Sequence, residues 1–235
     1  MIAGLADCAR TYFAGKDSTY VFKRAENVKP SKIDSINLYI HIPFCDNVCP
    51  YCPYFKIKYA SQKIPSYIEA MLNEIELYYN LFGKIDISSI YIGGGTPTLL
   101  IDELGVIFRS LGAKFNIKGD ICIETNPNDV TDELISKLKT DNVTLVSVGA
   151  QSFLDRHLQF IGRNYRPSII DNAMAQLAKA NFKSINIDLL FALPNQTERD
   201  VIYDLEKAID SGVNQVTTYP LFTFPYTSIG RFLKL

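Results

Sequence analysis

Between positions 37 and 219, short runs rich in Val, Ile, Tyr and Thr alternate with longer stretches whose apolar residues recur every three or four positions. Runs 37–42, 88–92, 120–125, 144–148, 184–190 and 214–219 read as six strands. Stretches 66–82, 102–111, 131–138, 168–180 and 197–210 read as helices. In the first of these, Ile68, Met71, Leu72, Ile75, Tyr79 and Phe82 share one face at a period near 3.6. In the last, Thr197 and Asp200 have capping-box spacing, Leu205, Ala208 and Ile209 form the apolar side, and Gly212 supplies a left-handed stop.

Strict βα alternation favours parallel pairing through right-handed crossovers, because parallel neighbours need a long connection and a helix supplies it. An open doubly wound sheet and a barrel both satisfy this. Six units fall short of the eight in a closed barrel of about 250 residues, so the expected fold is α/β, a partial (βα)6 TIM-like barrel. Ligands then belong at the C-terminal ends of the strands. Residues 1–36 break the alternation and read as an N-terminal extension, with a short helix near 2–13 and an extended piece near 20–23. Residues 37–220 form the core, and 221–235 read as the start of a truncated C-terminal segment.

Composition narrows the function classes. Of 235 residues 47% are hydrophobic, enough for a buried core, and 24 Lys+Arg against 25 Asp+Glu leave a net charge of −1. No broad field draws in nucleic acid or an anionic membrane. No apolar run approaches the roughly 20 residues of a membrane span. The start MIAGLADCAR has Asp7 inside its apolar stretch and no basic opening, so no secretory signal is expected. Five cysteines are too few for a disulfide scaffold, and three of them lie together. Cys8 and Cys122 stand apart and are expected to be small buried hydrophobes.

Directly after the first strand, LYIHIPFCDNVCPYC places Cys45, Cys49 and Cys52 in a C-x3-C-x2-C pattern. Thiolates select zinc or iron–sulfur centres, and three on one loop can hold three corners of a four-iron cluster. The fourth iron then stays open to a ligand. A structural zinc site with His41 or a distant residue as fourth ligand is the alternative, and three unliganded thiols the remaining one. Against zinc, His41 alternates with Tyr39 on a strand leading away from the loop, and zinc ribbons usually pair two C-x2-C knuckles.

The cysteine loop after the first strand resembles the signature of the radical S-adenosylmethionine superfamily. YIHIPFC followed by CPYC is similar to the oxygen-independent coproporphyrinogen III oxidase family and its relatives, which include haem chaperones and radical methyltransferases. Further matches follow in order: GGGTPT at 93–98, ETNP at 124–127, SVGAQSF at 147–153, IGR at 161–163, and DLLFALP at 188–194 with Gln196 and Thr197. Together they cover roughly residues 38–220.

The resemblance implies a 4Fe-4S cluster on Cys45, Cys49 and Cys52, with S-adenosylmethionine at its open iron. It places the cofactor's amino group against the glycine run, here Gly94, Gly95 and Thr96, and Tyr39 near its sulfonium. Glu124, at a strand end, suits a cationic amine or hydroxyls. Gln151, Arg163 and Asp188 match positions that hold the ribose and methionine parts, Arg163 on the helical segment after the fourth strand and suited to a carboxylate. Asp188 lies between Ile187 and Leu189, where a buried charge needs a partner.

The implied activity is reductive cleavage to methionine and a 5′-deoxyadenosyl radical that takes hydrogen from a small-molecule substrate, a tetrapyrrole or a methyl acceptor. A flavodoxin- or ferredoxin-like electron donor and a reducing cytoplasm are expected. Haem binding without turnover is the alternative.

Two departures bear on the substrate. Tyr54 stands where the decarboxylating oxidase has a further cysteine and the chaperone branch a phenylalanine. QVTTY at 215–219 lacks the His-x-Ser turn of the chaperone-like branch.

Overall fold

The structure, a computed structural model, describes residues 33–224 and 227–232. The helix expected near 2–13, the extended piece near 20–23, and Cys8 lie outside the described residues. The described residues belong to one compact unit, Lys32–Leu235.

The strands are β1 (Ser35–Ile42), β2 (Phe44–Cys45), β3 (Ile57–Lys58), β4 (Asp86–Gly94), β5 (Asn116–Thr125), β6 (Leu145–Gln151), β7 (Ser184–Phe191) and β8 (Gln215–Pro220). Six of them form one sheet in the order β1-β4-β5-β6-β7-β8, with every neighbouring pair parallel. The helices are α1 (Ile64–Phe82), α2 (Ile101–Lys114), α3 (Asp132–Thr140), α4 (Asp155–Phe160), α5 (Pro167–Lys179), α6 (Glu198–Asp210) and α7 (Ser228–Phe232). Each long crossover thus carries a helix, as parallel pairing demands. β1 and β8 do not pair with each other, so the sheet remains an open half-barrel. The expected partial (βα)6 barrel is the observed fold.

Alternation along the strands separates two faces. Ile90 and Ile92, Ile121 and Ile123, Val146 and Val148, and Ile185 and Ile187 are buried in the core between sheet and helices. The intervening positions, Tyr91, Cys122, Ser147, Asn186 and Thr217 among them, line a common hollow of about 450 Å³, so the sheet curls around its inner face. That inner face is polar.

Local chemistry explains the element ends. Thr131 caps α3 by accepting from the Leu134 amide at 3.1 Å. Thr197 and Asp200 form the expected capping box on α6, and Gly212 takes φ 78° beyond its end. β5 starts at Asn116, ahead of the expected 120, because Asn116 and Ile117 pair with Asp86 and Ile87 although Lys118 and Gly119 carry no strand signal. β1 likewise begins at Ser35, inside the segment expected to be the extension. The six-residue α4 is too short to show periodicity in the sequence. Arg163 accordingly lies past the end of α4, in a loop rather than on a helix.

Candidate functional site

The cysteine loop is closed at its base by backbone pairing. β2 and β3 run parallel, with the Ile57 amide donating to Pro43 O at 2.8 Å and the Tyr59 amide to Cys45 O at 2.8 Å. Two further bonds tie this base to the end of β4: Gly95 N to Ile42 O at 2.7 Å and Thr96 N to Phe44 O at 2.7 Å. Across the loop, Asn47 Nδ2 donates to Gly162 O at 3.0 Å, and Lys56 Nζ to Cys52 O at 2.6 Å. Cys45 and Cys49 are buried and Cys52 is half-buried.

All three cysteines line a hollow of about 100 Å³ with Asn47, Lys56, Thr96 and Arg163. Burial pushes the Cys45 thiol up, a hydrogen bond from Thr96 pulls it down, and the neighbouring Cys49 and Cys52 raise it again. Such a crowd of thiols is relieved when a cation binds the thiolates and their protons are released to solvent. Gly95 makes the close approach possible, since a Cβ there would strike the Phe44 carbonyl and stand 2.9 Å from Cys45 Sγ.

His41 is committed elsewhere. Its Nε2 bonds Phe55 O at 2.9 Å, and since a carbonyl only accepts, Nε2 carries the proton and Nδ1 accepts from Tyr39 OH at 3.0 Å. Neither nitrogen is left for a metal. Three thiols around one shared hollow suit three corners of a polynuclear cluster whose fourth corner stays open to a ligand.

Beside this hollow lies a cavity of about 520 Å³ at the C-terminal ends of the strands. Tyr39, Gly94, Gly95, Thr96, Glu124, Gln151, Arg163 and Asp188 all line it, as does Cys52. Gly94, Gly95, Thr96, Cys52 and Arg163 belong to both walls. The eight residues singled out from sequence therefore meet next to the thiols.

Glu124 is held by two donors, Tyr91 OH at 2.8 Å and Gly94 N at 3.1 Å. Tyr91 was not anticipated, although its alternation with Ser89 and Gly93 places it on the inner face. Burial, and then Glu124, raise the Tyr91 phenol well above its ordinary range, so it stays a donor. Tyr39 is 55% exposed at the mouth and stacks on Tyr91 at 6.1 Å between centroids.

Arg163 donates to Tyr51 OH at 3.0 Å, and its Nε is enclosed without a partner. Tyr51 comes from the CPYC motif, so the cysteine loop itself orients the guanidinium.

Asp188 accepts from Asn186 Nδ2 at 2.8 Å and Ser147 Oγ at 3.2 Å. Burial raises its carboxyl to about 6, against the pull of those two hydrogen bonds.

Gln151 has a left-handed backbone, φ 73°, at an irregularity in the β6–β7 register. A non-glycine residue there is strained and needs external support. Asp204 of α6 provides it, accepting from Phe153 N at 2.6 Å and Ser152 Oγ at 2.8 Å. His157 Nδ1 lies 3.5 Å from the same hydroxyl. Ser152 is fully buried and lines neither cavity, so this Ser–His–Asp grouping is a brace and not a nucleophilic triad. Asp204→Ala should cost about 2–4 kcal/mol by leaving two buried donors unpaired, measured by chemical denaturation. A cost below about 0.5 kcal/mol would remove the brace from the account.

Cys122 departs from its expected burial. It is half-buried on the inner face and lines the 450 Å³ hollow, where burial, Glu124 and Asp188 push its thiol up to about 12. An unfilled inner face leaves it uncovered.

Residues 39–208 match the family described as the Radical SAM superfamily. Heme chaperone HemW of Lactococcus lactis subsp. lactis is 34% identical over 192 residues, covering 80% of this chain and 50% of that protein. Oxygen-independent coproporphyrinogen III oxidase of Salmonella typhimurium is 29% identical over 189 residues, covering 78% of this chain and 41% of that protein. The solved structure of coproporphyrinogen III oxidase from Escherichia coli, described as a radical SAM enzyme, superposes with a TM-score of 0.77 at 25% identity. That match covers 84% of this chain and 46% of the other. The chain spans about half the length of the curated relatives it matches.

Proposed function

The chain belongs to the radical S-adenosylmethionine superfamily, and on that premise we propose that it is a radical enzyme core binding a 4Fe-4S cluster on Cys45, Cys49 and Cys52 beside S-adenosylmethionine. The observation that carries this is the shared wall: a thiol-lined hollow and a larger cavity meet at Gly94, Gly95 and Thr96.

Held by Cys45, Cys49 and Cys52, a four-iron cluster would supply the one-electron reduction of S-adenosylmethionine on which hydrogen abstraction from substrate depends. The chain's own residues bind and orient. Glu124, pre-set by Tyr91 and the Gly94 amide, receives the cofactor's ammonium group. Arg163, fixed by Tyr51, offers its guanidinium to the carboxylate. Gln151 and Asp188 accept from ribose hydroxyls, and Tyr39 closes the outer side. A flavodoxin- or ferredoxin-like protein supplies the electron, in a reducing cytoplasm. Among the described residues no helix is long and apolar enough to cross a membrane.

Glu124→Gln should weaken S-adenosylmethionine binding by about 10–100-fold, since a charge-assisted bond to the ammonium becomes a neutral one. Equilibrium dialysis with the reconstituted chain measures this. Unchanged affinity would take Glu124 out of the site, and no binding by the unsubstituted chain would overturn the cofactor reading.

Haem handling without turnover is the second reading. The 34% identity to a heme chaperone and Tyr54 in place of the oxidase cysteine favour it. Stoichiometric haem binding without substrate-coupled 5′-deoxyadenosine would select it, and a change in porphyrinogen coupled to deoxyadenosine would select oxidation.

A further inference from the structure

Asp188 is braced from below by a network that sequence motifs do not contain. Asn186 precedes it by two residues on the inner face of β7, with Ser147 of β6 beside Asn186 and Thr217 of β8 beside Asp188 in the registers. Asn186 Nδ2 donates to Asp188 Oδ1 at 2.8 Å and to Ser147 Oγ at 2.8 Å, and Ser147 Oγ donates to Asp188 Oδ2 at 3.2 Å. Thr217 Oγ1 donates to Asn186 Oδ1 at 2.8 Å. An ionised carboxylate only accepts, so the amide must turn its NH2 toward Asp188. Its oxygen then needs a donor, and Thr217 is placed to be one.

All four residues line the 450 Å³ hollow, but only Asp188 also lines the cofactor cavity. Both carboxylate oxygens are thus gripped by donors on the hollow side of the wall.

We propose that Asn186, oriented by Thr217, is a positioning residue that together with Ser147 holds the Asp188 carboxylate to accept the vicinal hydroxyls of the nucleoside part of S-adenosylmethionine. This rests on the cofactor reading above and adds a residue outside the cofactor cavity.

The consequence is a pH signature. Burial and then the charge of Glu124 keep the Asp188 carboxyl at about 6, against Asn186, Ser147 and Arg163. The other groups facing it are neutral donors over the useful range: Cys122 and Tyr219 are each raised to about 12, and Tyr91 and Tyr54 are also raised. Removing the Asn186 donor shifts Asp188 further upward, so the competent carboxylate is lost at a higher pH.

The test is calorimetric titration of S-adenosylmethionine into the anaerobically reconstituted full chain between pH 5.5 and 8.5. Asn186→Ala should bind about threefold more weakly than the unsubstituted chain at pH 6.5, with the deficit shrinking toward pH 8.5, a midpoint displaced by about one unit. Thr217→Val, which keeps the amide but frees it to turn, should show a smaller displacement in the same direction. Equal loss at every pH in both variants, or no displacement, would overturn the proposal and leave Asn186 a wall residue. Absence of binding by the unsubstituted chain at any pH would overturn the cofactor reading and this inference with it.

Discussion

Cys49→Ala should yield a folded chain that assembles no four-iron cluster and forms 5′-deoxyadenosine at least about a thousandfold more slowly, since no other group in the site relays the electron to the cofactor. Cys49 is the cleanest of the three positions. Its Sγ makes a 4.0 Å contact to Asn47 O and its carbonyl accepts from Cys52 N at 3.4 Å, a bond alanine keeps, whereas Cys45 lies within the β2–β3 pairing and beside Thr96. Removing one sulfur from a short loop therefore removes a cluster corner with little damage to the sheet. Iron and sulfide analysis with electron paramagnetic resonance reads the cluster, and thermal melting reads the fold. Full iron content with retained cleavage in a folded Cys49→Ala chain would contradict the assignment of this loop.

Gly95→Ala should be the second severe change, although it touches no ligand atom by chemistry. The added Cβ meets the Phe44 carbonyl, whose carbon lies 2.8 Å away, and Cys45 Sγ at 2.9 Å. That carbonyl cannot retreat freely, because it already accepts from Thr96 N at 2.7 Å. Relief requires pushing the cysteine loop off the end of β4, at a cost of about 2–4 kcal/mol and with loss of cluster occupancy. Gly112 is the matched control. It sits inside α2 with nothing within 4 Å of its added Cβ, so Gly112→Ala should be neutral or stabilising by up to about 1 kcal/mol. Denaturation midpoints and iron content of the two variants decide it. Equal behaviour of the two would show that Gly95 is not needed for the close approach.

Much of the fold was legible because each strand alternates between a filled outer face and a polar inner one. Ile90, Ile92, Ile121 and Ile123 announced strands, and the capped, periodic stretch ending at Gly212 announced a helix. The candidate site was legible at the level of membership. Cys45, Cys49 and Cys52 sit on one loop, and the eight cofactor candidates lie at strand ends that a parallel sheet brings together.

What escaped was mostly pairing across long stretches of chain. Tyr91 with Glu124, Tyr51 with Arg163, and Thr217 with Asn186 are separated by 33, 112 and 31 positions. Nothing local marks such partners. The left-handed Gln151 also carried no sign, since glycine or asparagine is the usual residue at positive φ and the strain is supported by Asp204 from a distant helix. Cys122 differs from its expected burial for another reason: it faces the inner hollow of an open half-barrel, which is not packed like the interior of a closed one.

The most direct test of the central claim is anaerobic reconstitution with iron and sulfide, reduction with dithionite, addition of S-adenosylmethionine, and chromatographic quantification of 5′-deoxyadenosine. The account predicts a reduced four-iron signal and deoxyadenosine that depends on both reductant and Cys49. A colourless chain carrying one zinc per molecule and forming no deoxyadenosine would contradict it.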